Sequence, residues 1–286
     1  MKPLTIRLLG NTGRLSLDDG GSKDLAPGEM AAFYKLSQGV IYSSAPWVSG
    51  ELTAPAAASL AEAVFARPLD TMYQVTEKPE ANEGDSIRLA SNIQGSMSFQ
   101  ELIAKRRSMR FMRPCTLSQL ARVLIGAYAI YDEAVAADGY RISHRPVPSA
   151  GGRHPFRLIV ASWAVQGLEG GFWEFDSRAR TLRHWKTDRS LYAVIGKICD
   201  AGDIPIAPAA VIFPLCELAR TLSRYPAGVS LAWRDAGALA LMLHLVATDA
   251  GLASSIIGTS GLLARADLDG PAIQDLGALT LGAVPV

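Results

Sequence analysis

A chain of 286 residues and 30.5 kDa has room for one large domain, or for a domain of about 190 residues with an appendage. A hydrophobic fraction of 49% against 19% charged excludes a disordered chain, and 28 basic residues nearly cancel 27 acidic ones, so no global positive field exists to hold nucleic acid or an anionic membrane. Cys115, Cys199 and Cys216 are odd in number and far apart, and His144, His154, His184 and His244 form no His-x-x-x-His pair, so no disulfide framework and no metal site is expected.

In chain order, residues 1–7 lack the apolar stretch of a signal peptide, and the protein reads as cytoplasmic and reduced. Short alternating pieces at residues 4–8 and 39–43 are expected as strands, and the Pro/Ala-rich stretch 53–66 can form a helix. Residues 1–92 are thus expected to form a small α/β appendage, with residues 93–286 as the main domain. A short helix is expected over 98–105, leading into a basic run at 105–110. Thr116 and Gln119 form a capping box for a second helix, whose stripe is Leu117, Leu120, Val123, Leu124 and Ala127. A Pro/Gly-rich loop at 145–155 precedes a buried strand at 156–165, a hairpin at 171–176 and 181–185, and a strand at 211–216. Residues 236–246 are apolar on nearly every side, bounded by Arg234-Asp235 and Thr248-Asp249. A membrane span needs about 20 such residues, so this helix belongs in a core or a subunit interface. Strands at 254–257 and 276–284 complete the chain.

Two segments can carry chemistry. In Lys105-Arg106-Arg107-Ser108-Met109-Arg110, Arg106 and Arg110 are four apart, so on a helix or its end they project on one side. Guanidinium forks suit phosphate oxygens, and a phosphate monoester is the natural ligand. A solvated basic face is the competing reading. No aromatic interleaving or second basic patch supports nucleic acid. In the loop Arg145-Pro146-Val147-Pro148-Ser149-Ala150-Gly151-Gly152-Arg153-His154-Pro155, the prolines stiffen the backbone while Ser-Ala-Gly-Gly lets it approach a planar ligand closely. A purely structural turn is the alternative. Ser149 lacks the Gly-x-Ser-x-Gly setting of a hydrolase nucleophile. Neither a Rossmann fingerprint nor a P-loop is present. His244, inside an apolar helix, reads as a satisfied core residue.

In this order and spacing, these segments resemble the flavin-dependent nitroreductase superfamily, and within it the SagB-type dehydrogenases that oxidise azoline rings in modified peptides. The resemblance covers roughly residues 98–286. It rests on Arg106–Arg110, the Arg145–Pro155 loop, Asp235-Ala236-Gly237 opening the long helix, and Gly251-Leu252 followed by Ile256-Ile257-Gly258. It implies an α+β fold with a central, mostly antiparallel sheet, a long buried helix, and dimers holding FMN at their interface. By the same resemblance Arg106, Arg107, Ser108 and Arg110 hold the FMN phosphate and ribityl chain. Pro148, Ser149, Ala150, Gly151 and Gly152, from the same or the partner subunit, lie against the isoalloxazine ring. Ile256, Ile257 and Gly258 present backbone near the ring's N5, where hydride transfers.

The sequence departs from the azoline dehydrogenases at their Lys-Tyr pair, which handles the accompanying proton. Ser223-Arg224-Tyr225 stands there: an ungapped count from Asp235 places Ser223-Arg224 on the pair, and a one-residue shift places Arg224-Tyr225. An arginine stays protonated and is a poor base, whereas Tyr225, with Arg224 stabilising a phenolate, can serve. Residues 1–92 correspond in position to the peptide-engaging N-terminal region of SagB-type proteins. The expectation is an FMN-dependent dehydrogenase of a peptide-derived or natural-product intermediate, reoxidised by oxygen. Its alternatives are an NAD(P)H-dependent nitroreductase and a non-catalytic or half-catalytic subunit. Its partners would be a small-molecule or peptide substrate and a second subunit, either identical or paralogous.

Overall fold

A computed structural model describes residues 6–8, 14–17, 22–24, 51–52, 86–90, 95, 97–136, 139–225, 228–263 and 273–285. Chain contacts divide it into two units, residues 1–74 with 219–233, and residues 75–218 with 234–286. In the first unit, strands β1 (Ile6–Leu8), β2 (Arg14–Leu17), β3 (Ser22–Asp24) and β4 (Glu51–Leu52) form an antiparallel sheet in the order β3-β2-β1-β4. Ile6 at its centre pairs with both Leu17 and Leu52. The strand expected at 4–8 is therefore present as β1. The strand expected at 39–43 and the helix at 53–66 lie outside the described residues.

The second unit is built on a seven-stranded sheet. Its strands are β5 (Ser86–Arg88), β9 (Phe156–Ser162), β11 (Gly171–Asp176), β12 (Thr181–His184), β13 (Ala210–Glu217), β14 (Leu252–Ser260) and β15 (Ile273–Ala283). Their order is β14-β15-β13-β9-β11-β12-β5, and every neighbouring pair is antiparallel. Strand β5 falls within residues 1–92, yet it hydrogen-bonds into this sheet. The central strands β9 and β13 pair Val160 with Ile212, and both residues are fully buried. Leu158–Ala161 of β9 and Ala210–Cys216 of β13 read as continuous apolar runs because both faces are covered there. Pro214 cannot donate to a ladder, and β13 places it where the register against β15 shifts between Ile212 and Leu215. Two small sheets flank this one: β6 (Cys115–Thr116) parallel to β10 (Val165–Gln166), and the hairpin of β7 (Asp132–Val135) and β8 (Arg141–His144).

Five α-helices accompany the strands among the described residues. α1 (Phe99–Lys105) starts at a capping box of Ser98 and Glu101. α2 (Leu117–Tyr128) starts at the expected box of Thr116 and Gln119 and buries Leu120, Val123, Leu124 and Ala127. α3 (Leu191–Gly202) is not among the elements expected from the sequence. It begins at Ser190, whose side chain accepts from the Ala193 N–H. Val194, Ile195 and Ile198 pack it against Ile159, Phe213, Ile257 and Ala278 of the sheet. α4 (Leu218–Leu222) precedes the long helix α5 (Val229–Asp249). Arg122 of α2 and Asp249 of α5 form an ion pair at 2.6 Å. No helix among the described residues is long and apolar enough to cross a membrane.

Candidate functional site

The basic segment does not continue α1. The helix ends at Lys105, Arg106 already has φ −54° and ψ 122°, and residues 106–110 are not helical. The expectation that Arg106 and Arg110 share a helical face is thereby corrected. The cause is tertiary: the Met109 N–H donates to the Ser254 carbonyl at 2.9 Å, which fastens the segment along β14. β14 is an edge strand of the large sheet, so its outer side is open to such a contact.

The three arginines then diverge. Arg106 Nη1 meets His244 Nε2 at 3.2 Å, and His244 Nδ1 meets Ser254 Oγ at 2.6 Å. Arg107 is exposed and folds back, its Nη1 donating to the carbonyls of Ala104 and Arg106 at 2.9 Å each. Arg110 Nε donates to the Gly202 carbonyl at 2.7 Å, at the C-terminal end of α3, where unpaired carbonyls attract a cation. Ser108 is exposed between them. On the adjoining strand Ile257 is buried, whereas Ile256 is 44% exposed and Gly258 is exposed. The structure therefore ties the backbone of the 106–110 segment to β14 at Ser254, two residues before Ile256, while the side chains of Arg106, Arg107 and Arg110 take separate partners.

The second motif loop is organised by Asp235, which is nearly buried. Ser149 Oγ donates to Asp235 Oδ2 at 2.6 Å, and the Ala150 N–H donates to the same oxygen at 3.0 Å. Ser149 Oγ in turn accepts from the His154 N–H at 2.8 Å. That hydroxyl is a hinge pin of the loop, which agrees with the absence of a hydrolase elbow around it. Gly151 and Gly152 have φ of 58° and 65°, a left-handed pair that only glycine adopts at low cost. Tyr140 Oη donates to the Arg153 carbonyl at 2.9 Å, and Tyr140's ring stacks under the Arg153 guanidinium. The result is a tight turn that leaves Pro148 and Gly151 exposed.

Asp235 and His244 both stand on α5, nine residues and so about 13 Å apart along its axis. One helix thus positions both motif segments. The sequence drew attention to Asp235 only as part of a motif and to His244 only as core. The signal available was that a carboxylate and an imidazole buried in an apolar helix each require polar partners. Arg224 and Tyr225 belong to the first unit, just after α4, where the Arg224 guanidinium lies 5.8 Å from the centroid of the Tyr225 ring.

Comparison with known proteins bears on what this arrangement is. No protein-family model matches the chain. A relative from Methanocaldococcus jannaschii, provisionally named a nitroreductase, is 25% identical over 178 residues, which is 61% of this chain and 85% of that protein. A crystal structure of a provisionally named nitroreductase from Ralstonia eutropha JMP134 matches with a TM-score of 0.52 at 20% identity, covering 71% of this chain and 90% of its own. The chain has the nitroreductase-superfamily fold. A chain of the Escherichia coli microcin synthetase McbBCD complex with truncated pro-MccB17 bound also matches, with a TM-score of 0.53 at 14% identity, covering 92% of this chain and 95% of its own.

FMN is the cofactor that the likeness to nitroreductases implies, and the residues of this chain can be set against it. The basic segment tied to Ser254 of β14 and the exposed Ile256 and Gly258 farther along that strand supply cationic and apolar groups, a combination suited to a phosphate joined to a flat ring. Added bulk at Gly258 would meet no atom within 4 Å, so the strand presents open space there.

Proposed function

We propose that the chain is an FMN-dependent oxidoreductase that works as a dimer and dehydrogenates a peptide-derived or natural-product intermediate, azoline-to-azole oxidation being the reaction favoured. The observation that carries the dehydrogenase reading is the extent of the likeness. The Ralstonia fold covers 71% of the chain, whereas the microcin synthetase chain covers 92% and so takes in most of the N-terminal region as well. That complex is a microcin synthetase holding truncated pro-MccB17, which supports the reading of a peptide-derived substrate here.

When bound, FMN supplies a two-electron acceptor for hydride. Arg106, Arg107, Ser108 and Arg110 bind its phosphate and ribityl chain. Pro148, Ser149, Ala150, Gly151 and Gly152 hold the turn that lies against the ring, kept rigid by Asp235. Ile256, Ile257 and Gly258 offer the edge backbone beside it. Forming an azole removes a proton as well as a hydride. Tyr225 Oη relays that proton, passing on its own as it takes the other, since the Arg224 guanidinium has donors only and cannot act as the base.

The departure at Ser223-Arg224-Tyr225 and the multi-subunit setting of the microcin synthetase neighbour favour a second reading, a subunit completed by a paralogous partner. Purification of the chain alone separates them. A yellow protein that oxidises an azoline peptide unaided is expected. Rapid NADPH-driven reduction of nitroaromatics without azoline turnover would assign it to the general nitroreductases. A yellow protein inert toward both would favour the incomplete subunit, and a colourless one would remove FMN from the reading.

A further inference from the structure

Arg106 is held from behind by a buried imidazole. His244 is 1% exposed on α5 and accepts from Arg106 at Nε2, since a guanidinium has donors only and cannot accept. The ring proton therefore sits on Nδ1 and is donated to Ser254 Oγ. Ser254 also gives its carbonyl to the Met109 N–H. These contacts close a circuit through three separate parts of the fold: the basic segment, α5 and β14. Burial, and after it the charge of Arg106, lower the His244 pKa below the ordinary imidazole value, so the ring is neutral and its acceptor stays open.

We infer that His244 is a positioning residue for the anionic end of the ligand, aiming the Arg106 guanidinium along the outer edge of β14. This rests on the reading of that edge as the FMN phosphate site. An arginine side chain has many rotamers, and ordering it on binding costs affinity. A buried acceptor fixed by Ser254 removes much of that cost beforehand. It occupies one nitrogen of the fork and leaves the others for the ligand.

The test is an FMN fluorescence titration of the full-length protein, with thermal melts alongside, for wild type, His244→Gln and His244→Asn. Glutamine reaches the place of Nε2 and can present its carbonyl oxygen to Arg106. Asparagine reaches only the place of Nδ1, keeping Ser254 and losing Arg106. His244→Asn is expected to bind FMN about tenfold or more weakly, and His244→Gln to stay within about threefold of wild type. Equal affinity in wild type and His244→Asn would overturn the inference and leave the FMN reading intact. Equal weakening in both variants, in step with their melting temperatures, would also overturn it, because the role would then be structural. A wild type that binds no FMN overturns the cofactor reading itself. If both variants fail to fold, Ser254→Ala carries the test: it releases the imidazole while keeping the carbonyl that holds Met109, and unchanged affinity there counts against the inference.

Discussion

Asp275 is fully buried on β15, and its Oδ1 accepts from the Leu263 N–H at 2.7 Å. Its Oδ2 has no hydrogen-bond partner among the described residues. Burial pushes the carboxyl pKa up from 3.8 to about 6, against the lowering effect of nearby backbone N–H groups led by Leu263. The folded chain therefore keeps a proton that the unfolded chain gives up. The stabilisation from this protonated acid is fully present below about pH 4 and is lost as pH rises through about 6. A shift of this size corresponds to about 3 kcal/mol. Asp275→Asn keeps an acceptor for Leu263 and cannot ionise. In denaturant unfolding from pH 4 to pH 7, the wild type is expected to lose stability relative to the variant across that window; parallel curves would show that the carboxyl does not titrate there. The residue bears on the site because it holds Gly261–Leu263, the segment that leaves β14.

At the scale of elements, α3 joins the core to the basic segment. Ile198 is fully buried against the sheet, and the helix ends at Gly202, whose carbonyl receives Arg110. A methyl group on Gly202 would come within 2.6 Å of Ile257 Cδ1, so helix end and site strand are in close contact. Ile198→Ala is expected to cost about 2–5 kcal/mol, read from the urea midpoint; a loss under about 1 kcal/mol would mean that α3 packs loosely. The sequence revealed α2 and the β11–β12 hairpin because their signals are local: a capping box with a periodic stripe, and two short runs around a turn. It did not reveal α3, whose Ser190 cap lacks a reciprocal Glu or Gln at Ala193 and whose apolar stripe is short. The site was legible in the same partial way. Arginines suited to phosphate and a glycine turn suited to a flat ring can be read along the chain. The partners that aim them cannot, since His244 lies 138 residues from Arg106 and Gly202 lies 92 residues from Arg110. A long-range hydrogen bond from Met109 to Ser254 of β14 likewise accompanies the non-helical course of residues 106–110, whose spacing also allowed a helix.

The molecule as a whole carries apolar surface that one copy leaves uncovered. α5 buries Ala232, Ala236, Leu239, Leu243 and Ala247, but Leu241 is 48% exposed. α1 buries nothing, and its Phe99 and Ile103 are 73% and 48% exposed, with Phe111 beyond it at 60%. A helix of seven residues has little stability of its own in water, so an apolar face on it is best accounted for by a second chain. Leu241 stands on α5, the helix that also carries Asp235 and His244, so an interface there would tie assembly to the site. In sedimentation equilibrium the wild type is expected near twice 30.5 kDa. Leu241→Lys places a charge in the interface, where an unpaired buried ion is costly. It is expected to give monomers that retain the fold by circular dichroism and lose FMN together with the dimer. If Leu241→Lys remains dimeric, the interface lies on another face. If the wild type is a monomer without flavin and gains both dimer and flavin on mixing with a paralogous chain, the second subunit is heterologous, and the incomplete-subunit reading replaces the homodimer.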